Sequence, residues 1–412
     1  MRRILVLAGL TGGALAACGP GVPTPTLGAV EFSGRVGSGE PNPGRTPRAE
    51  LLLTWFEPAA DGSGEVLRLV AATGEGWGEP RTVVAGRDFF VNWADFPSVA
   101  RQADGTLSVH WLEKVEALPY AYHVMLSRST DDGETWSAPV TVHDDVSPTE
   151  HGFVSMMPGR DGSLALVWLD GRNTRDRSVP GAAMQLRARF LDPAGRPGPE
   201  FLLDDRTCDC CQTALVETGD GALLAAWRDR SPEEIRDIAV SRFDGAAWSS
   251  PTHVGNDQWH FPACPVNGPA LSVQEHEVAI AWFSAPEGDA RVQVAFSEDD
   301  GRQFGPAIRI DEGSALGRVA AVHLAPDRVL VTWLVRHGTG GSVWARVVSS
   351  RGNPEPAWRL FETSPSRRSG FPRLAILGDD VLVAWTEVGD TGGIRVARLS
   401  GLARGKVVVP TD

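Results

Sequence analysis

An apolar stretch that ends in tryptophan recurs along the chain. Its clearest copy is Asp161 to Trp168, DGSLALVW, and related stretches end at Trp55, Trp111, Trp227, Trp282, Trp333 and Trp385. The seven tryptophans follow one another at intervals of 56, 57, 59, 55, 51 and 52 residues. A period of this size belongs to a repeat architecture, in which each unit buries its apolar face against the next. Each copy reads as a turn followed by a strand. The strand is apolar on both faces, as in LALVW, so it sits centrally in a covered sheet.

The remainder of each unit agrees. Unit two runs FPSVARQ from Phe96, LSVHWLE to Glu113, HVMLSRS to Ser129 and APVTVH to His143, four strands A to D joined by short turns. With 46 Gly, 30 Pro and no sustained helical periodicity in 412 residues, the chain is all-β. The absence of a composition break between units argues for one closed array rather than several domains. A net charge of −13 without any Lys/Arg-rich run excludes nucleic acid as a partner and gives no basis for adsorption to an anionic membrane surface.

The N-terminus reads as an export signal. Arg2 and Arg3 precede an apolar run from Ile4 to Ala16, too short to span a bilayer, which ends in Leu15-Ala16-Ala17-Cys18. This resembles the lipobox of bacterial lipoproteins. The resemblance implies a signal peptide over 1–17, cleavage before Cys18, lipidation of the Cys18 thiol and residence in the cell envelope, outside the cytoplasm and held by the lipid anchor alone. Residues 18–37, with GPGVPTPT at their start, read as a tether, and 38–412 as the folded body.

Strands C and D of unit two are joined by Ser129-Thr130-Asp131-Asp132-Gly133-Glu134-Thr135-Trp136, and unit five repeats this as Ser297-Glu298-Asp299-Asp300-Gly301-Arg302-Gln303-Phe304. In S-x-D-x-G-x-x-[WF] the carboxylate can take turn amides, the Gly can supply a positive φ and the aromatic can pin the turn to its sheet. The pattern resembles the Asp-box, or BNR repeat, of the sialidase superfamily. That resemblance implies a β-propeller of four-stranded antiparallel blades. Seven tryptophan strands give seven blades; six, the number in sialidases themselves, is the alternative.

In a propeller the residues entering strand A and leaving strand B surround one mouth of the central channel, the default site. Polar groups crowd those positions here, among them Asp95, Glu113, His151, Asp170, Arg172, Arg228, His260 and Arg318. The sialidase resemblance implies an arginine triad on a substrate carboxylate, a Tyr nucleophile activated by Glu, and an Asp acid/base. Arg172, Arg228, Arg318 and Arg373, with His151, are the candidate ligand-binding groups, and Asp95 or Asp170 the candidate acid. The chain departs from the family in lacking an F-R-I-P motif and in having only two tyrosines, Tyr120 and Tyr122, both early. Tyr120 with Glu113 as base is the one nucleophile pair we expect to reach the mouth.

Two further stretches enter adjacent inner strands: TCDCCQT, with Cys208, Cys210 and Cys211, and WHFPACPVNGP, with Cys264 and His260. In an exported protein one of the first three cysteines should bridge Cys264 across the blade boundary, while the remaining thiols and His260 form an alternative Cu or Zn site. The expectation is a propeller that binds an acidic glycan or other small anion, or a metal, without hydrolysis; an exo-sialidase-type hydrolase is the alternative. Sequence gives no oligomeric state.

Overall fold

A computed structural model describes residues 25–402, except 33, 45, 47–49, 75, 116, 117, 177, 180 and 353. The signal segment, Cys18 and most of the tether lie outside the described residues. Seven antiparallel sheets of four strands each form a closed ring, so the blade number is seven. Blade 1 comprises Gly39–Pro43, Leu52–Pro58, Glu65–Ala71 and Arg81–Gly86, and blade 2 Ser98–Arg101, Leu107–Lys114, Tyr122–Ser129 and Val140–Thr141. The inner strands of blades 3 to 6 are His151–Pro158, Ala214–Glu217, Ala270–Gln274 and Ala315–Ala325.

The ring closes differently from the sequence expectation. Blade 7 takes its first three strands, Arg373–Leu377, Asp380–Glu387 and Gly393–Ser400, from the end of the chain. Its outermost strand is Thr26–Val30, paired antiparallel with the third from Thr26↔Ser400 to Val30↔Val396. The folded body therefore includes Thr26–Val30, inside the segment read as tether. KVVVP, read as the fourth strand of that blade, lies outside the described residues. One blade built from both chain ends is a clasp, since opening the ring requires breaking that ladder.

The repeated tryptophan is the anchor of the core. Trp55, Trp111, Trp168, Trp227, Trp282 and Trp333 are each at most 1% exposed, wedged between neighbouring blades. Trp385 in the clasp blade is only half-buried and stacks on Phe361 with ring centroids 4.1 Å apart. Removing one such indole should cost about 3–5 kcal/mol. A buried indole N–H also needs an acceptor. Trp55, Trp111 and Trp168 donate to the carboxylate two residues on, Glu57 at 3.1 Å, Glu113 at 3.2 Å and Asp170 at 2.9 Å. Trp227 and Trp282 use Asp204 and Asp257 instead.

The two expected turns have the geometry their residues imply. In the first, Ser129 Oγ donates to Asp131 at 2.7 Å and accepts Gly133 N–H at 2.8 Å, while Thr135 N–H donates to Asp131 at 2.9 Å. The second matches it through Ser297, Asp299, Gly301 and Gln303. Gly133 and Gly301 have φ of +86° and +78°. These hydrogen bonds, Thr135 foremost, hold Asp131 down at about pKa 2.

Candidate functional site at the channel mouth

The inner strands enclose an axial channel of about 1260 Å³. Its wall includes Asp95, Phe96, Phe153, Gln212, Thr213, Gly268, Phe371 and Arg373 towards the mouth where the inner strands begin. Glu50, Arg160, Glu217 and Asp379 stand towards the opposite end.

The inner strands of blades 1, 3 and 6 are bulged near their starts, and the starts of three inner strands are stapled from the preceding blade. Phe153 N–H donates to Asp95 Oδ2 at 2.6 Å, Gly268 N–H to Gln212 Oε1 at 3.0 Å, and Arg318 N–H to Asn267 Oδ1 at 2.7 Å. Phe153 and Arg318 sit at φ of +54° and +55°, each just after a glycine. Gly152 and Gly317 are required there because a Cβ would collide with the stapling Asp95 or Asn267 side chain. Asp95, expected as the acid, thus has a structural partner. Burial pushes its pKa up to about 7 despite the opposing hydrogen bond from Phe153.

The expected pairing of Tyr120 with Glu113 does not hold. The Glu113 carboxylate accepts the Trp111 indole, and Tyr120 is 61% exposed, its ring edge against Phe90. The phenol that meets a carboxylate is Tyr122, whose hydroxyl donates to Glu150 across 3.5 Å, with Asp95 close by. Tyr122 is 2% exposed, stacked on Phe90, and its pKa is pushed well above 10 by burial and by the Glu150 and Asp95 charges.

The arginines separate into spent and accessible groups. Arg228 is 1% exposed and donates to the carbonyls of Asn267 at 2.7 Å, Arg236 at 2.6 Å and Phe283 at 2.5 Å, with its guanidinium 4.9 Å from the Trp259 ring centre. Burial lowers its pKa to about 9. Arg318 is likewise buried, donating to Ser369 Oγ and to the Gly370 and Ser366 carbonyls. Burial, then Arg367 and Arg336, lower it to about 10. Arg172 is committed to Asp170 at 2.7 Å and Glu200 at 2.8 Å. Arg228 and Arg318 therefore tie neighbouring blades and Arg172 braces its own, instead of presenting a fork to a ligand. Arg373 does line the channel, its guanidinium 5.0 Å from the Phe96 ring centre.

Three contacts at the mouth join residues that are distant in sequence. Trp93, half-buried, stacks on Phe371 with centroids 5.8 Å apart and planes 19° apart. Arg318 lies 5.0 Å from its ring centre, and the exposed Arg367 lies 5.9 Å from it. Trp93 and Phe96 come from blade 2 and its approach, whereas Arg367, Phe371 and Arg373 come from blade 7 and its approach. Only ring closure makes them neighbours.

His151 is fully buried, which removes it as a ligand-binding group. It belongs to a stack with His143, centroids 3.8 Å apart and planes 8° apart, beside His123. His143 Nε2 accepts the Val124 amide at 3.2 Å and its Nδ1 donates to the Asp145 carbonyl at 2.8 Å, so both nitrogens are used. Burial, then neighbouring histidines, lowers its pKa to about 3. His151 Nε2 faces the Asp145 carboxylate at 3.0 Å. The three rings pack together at the boundary of blades 2 and 3, with His143 spent on backbone partners.

The four cysteines form two disulfides, Cys210–Cys264 and Cys208–Cys211, with Cα separations of 6.1 and 5.8 Å. The cross-blade bond agrees with expectation and its partner is Cys210. The second bond consumes the two sulfurs expected to remain as thiols, so in this oxidised state they offer no thiolate to Cu or Zn. His260 is exposed and falls outside the group of close sulfurs.

No family model matches the chain. In sequence it is 30% identical over 279 residues to an exo-alpha-sialidase of Aspergillus fumigatus, an alignment covering 63% of this chain and 61% of that protein. The chain thus spans about three fifths of that curated relative. In structure it resembles a protein of unknown function from Dyadobacter fermentans, with a TM-score of 0.50 and 15% identity, covering 90% of this chain and 97% of the other. A Hadza microbial sialidase overlaps with a TM-score of 0.45 at 14% identity, covering 82% and 74%. The chain is a seven-bladed β-propeller that, over the aligned residues, is similar in sequence to an exo-alpha-sialidase.

Proposed function

We propose that the protein binds an acidic glycan at the channel mouth without hydrolysing it. The observation that carries this reading is the convergence of Trp93, Phe96 and Phe371 with Arg367 and Arg373 at one rim. Aromatic faces give a sugar ring an apolar platform, and guanidinium groups give its carboxylate planar donors. The sequence relationship to an exo-alpha-sialidase supports a glycan as the ligand class. Against turnover stands the chemistry of the spent groups. Arg228, Arg318 and Arg172 cannot form a carboxylate fork without abandoning carbonyls or ion pairs, and a phenol as buried as Tyr122 is held in its neutral form.

Calorimetric titration with sialyl and uronic-acid oligosaccharides tests the proposal. Binding is expected to weaken at least tenfold in Trp93→Ala and Arg373→Ala; failure of every acidic saccharide to bind the wild type would refute it. The nearness of Tyr122, Glu150 and Asp95 favours one second reading, hydrolysis. That reading requires wild-type turnover of a fluorogenic sialoside, abolished in Tyr122→Phe. From residues 1–26 alone we also infer anchoring through Cys18 in a bacterial envelope; metabolic lipid labelling should be lost in Cys18→Ser, and retained labelling would refute the anchor.

A further inference from the structure

We propose that Cys208, Cys210, Cys211 and Cys264 form a redox-controlled site for a tetrahedral thiolate-binding cation of the Zn²⁺ type. The site would be closed when the cysteines are two disulfides and opened by reduction. The two bonds are one cluster rather than separate crosslinks. Sγ of Cys208 and Sγ of Cys210 belong to different disulfides yet lie 3.9 Å apart, and the sulfurs of Cys208, Cys210 and Cys211 all lie within 4.8 Å of one another. Cys264 joins them through its bond to Cys210.

A Zn–S bond of about 2.3 Å fixes the edge of a tetrahedral S₄ site at roughly 3.8 Å. The 3.9 Å contact across the two disulfides already has that length. Reduction relaxes the Cys208–Cys211 and Cys210–Cys264 pairs from bonding to non-bonded distance, so three sulfurs are already grouped and Cys264, released from Cys210, would close the fourth corner. Two adjacent loops supply the donors, three from the approach to blade 4 and one from the approach to blade 5, so the ion would replace the covalent tie between those blades.

Access is graded. Cys264 is exposed and Cys210 half-buried, whereas Cys208 and Cys211 are 0% and 2% exposed. An external dithiol would meet Cys210–Cys264 first, and the Cys210 thiolate it releases stands 3.9 Å from Cys208 of the inner bond. Each disulfide takes two electrons and two protons from one dithiol, which leaves as a disulfide. The four thiols then surrender four protons as one Zn²⁺ binds, giving a site of net charge −2. Arg230 pairs with Asp209 inside the C-x-C-C turn at 3.2 Å, and the Arg228 carbonyl accepts Cys208 N–H at 3.0 Å, which ties the turn to the segment leaving the second strand of the same blade.

The test uses the chain with Cys18→Ser, so that the thiol count concerns these four residues alone. The protein is reduced with a water-soluble phosphine, with and without Zn²⁺, and bound zinc is measured after desalting. Far-UV circular dichroism is followed throughout. The oxidised chain should show no free thiols and retain no zinc; the reduced chain should retain one zinc per molecule and release it on reoxidation. Cys264→Ser should weaken retention at least tenfold. Reduced protein that keeps its native spectrum and titrates four thiols, but retains no zinc, would overturn the proposal. If reduction alone unfolds the ring, the proposal requires Zn²⁺ to preserve the native spectrum, and equal unfolding with and without the ion would overturn it.

Discussion

Asp95 offers a sharp test of whether the mouth is built as described. Its carboxyl is fully enclosed, accepts one amide hydrogen from Phe153, and has a pKa raised by burial to about 7 from an ordinary value of 3.8. Because the folded chain holds a proton that the unfolded chain gives up, stability is present at low pH and is lost as pH rises from about 4 through about 7. Between pH 5 and pH 8 the loss from this one group is about 2–3 kcal/mol. Asp95→Asn keeps an oxygen to accept Phe153 N–H and removes the titration. Urea unfolding of both proteins at pH 5 and pH 8, followed by tryptophan fluorescence, should show the wild type losing about 2–3 kcal/mol more than the variant across that range. Burial also raises Glu40 to about 7 and Asp204 to about 6, so both proteins will keep some pH dependence and only the difference between them isolates Asp95. A stability difference that is the same at both pH values would refute the argument that Asp95 is buried and stapled.

Three other expectations follow from the fold. Deleting residues through Val30 strips the outer strand from the clasp blade and should lower the melting temperature by several degrees in differential scanning fluorimetry or cause aggregation. Arg228→Met leaves the Asn267, Arg236 and Phe283 carbonyls without their donor and should cost about 3–5 kcal/mol in denaturant titration; a near-neutral result would return Arg228 to the list of ligand-binding groups. Gly152→Ala drives a Cβ into Asp95 Oδ2 and should destabilise the chain by about 1–3 kcal/mol, most of it recovered in the Gly152→Ala, Asp95→Ala double variant relative to Asp95→Ala alone.

Blade number was legible because the tryptophan strand reports a packing requirement. A large indole fills the gap between blades and must recur once per blade, and the S-x-D-x-G-x-x-[WF] turns report local hydrogen bonding that needs no tertiary context. The clasp was not legible. TLGAV is a short strand beside Pro/Gly-rich sequence, and its partner lies at the far end of the chain, where no local pattern points to it. The carboxylates leaving the middle strands were misread for a different reason. In Trp55-Phe56-Glu57, Trp111-Leu112-Glu113 and Trp168-Leu169-Asp170 the acid stands two positions after the anchor, on the same side of the strand, where it serves the indole. The W-x-[DE] spacing was visible and would have removed Glu113 as a base.

The same logic decides which polar groups at the mouth serve the ring itself. A propeller brings seven inner strands together around one axis, and the amides and carbonyls at their starts that join no ladder must find other partners. Asp95, Gln212 and Asn267 meet amides of the next blade, and Arg228 and Arg318 meet carbonyls, so a scan for charge near the axis finds the staples of the ring first. On the proposed reading a ligand would meet the Trp93 face with Arg367 over it, Arg373 over Phe96, and the exposed edge of the Cys210–Cys264 bond at another sector of the rim. Binding at the first should therefore be sensitive to Trp93 and indifferent to the redox state of the cysteines. Cooperation between the two would require blades 4 and 5 to shift against blades 2 and 7, a movement that the stapled bulges oppose.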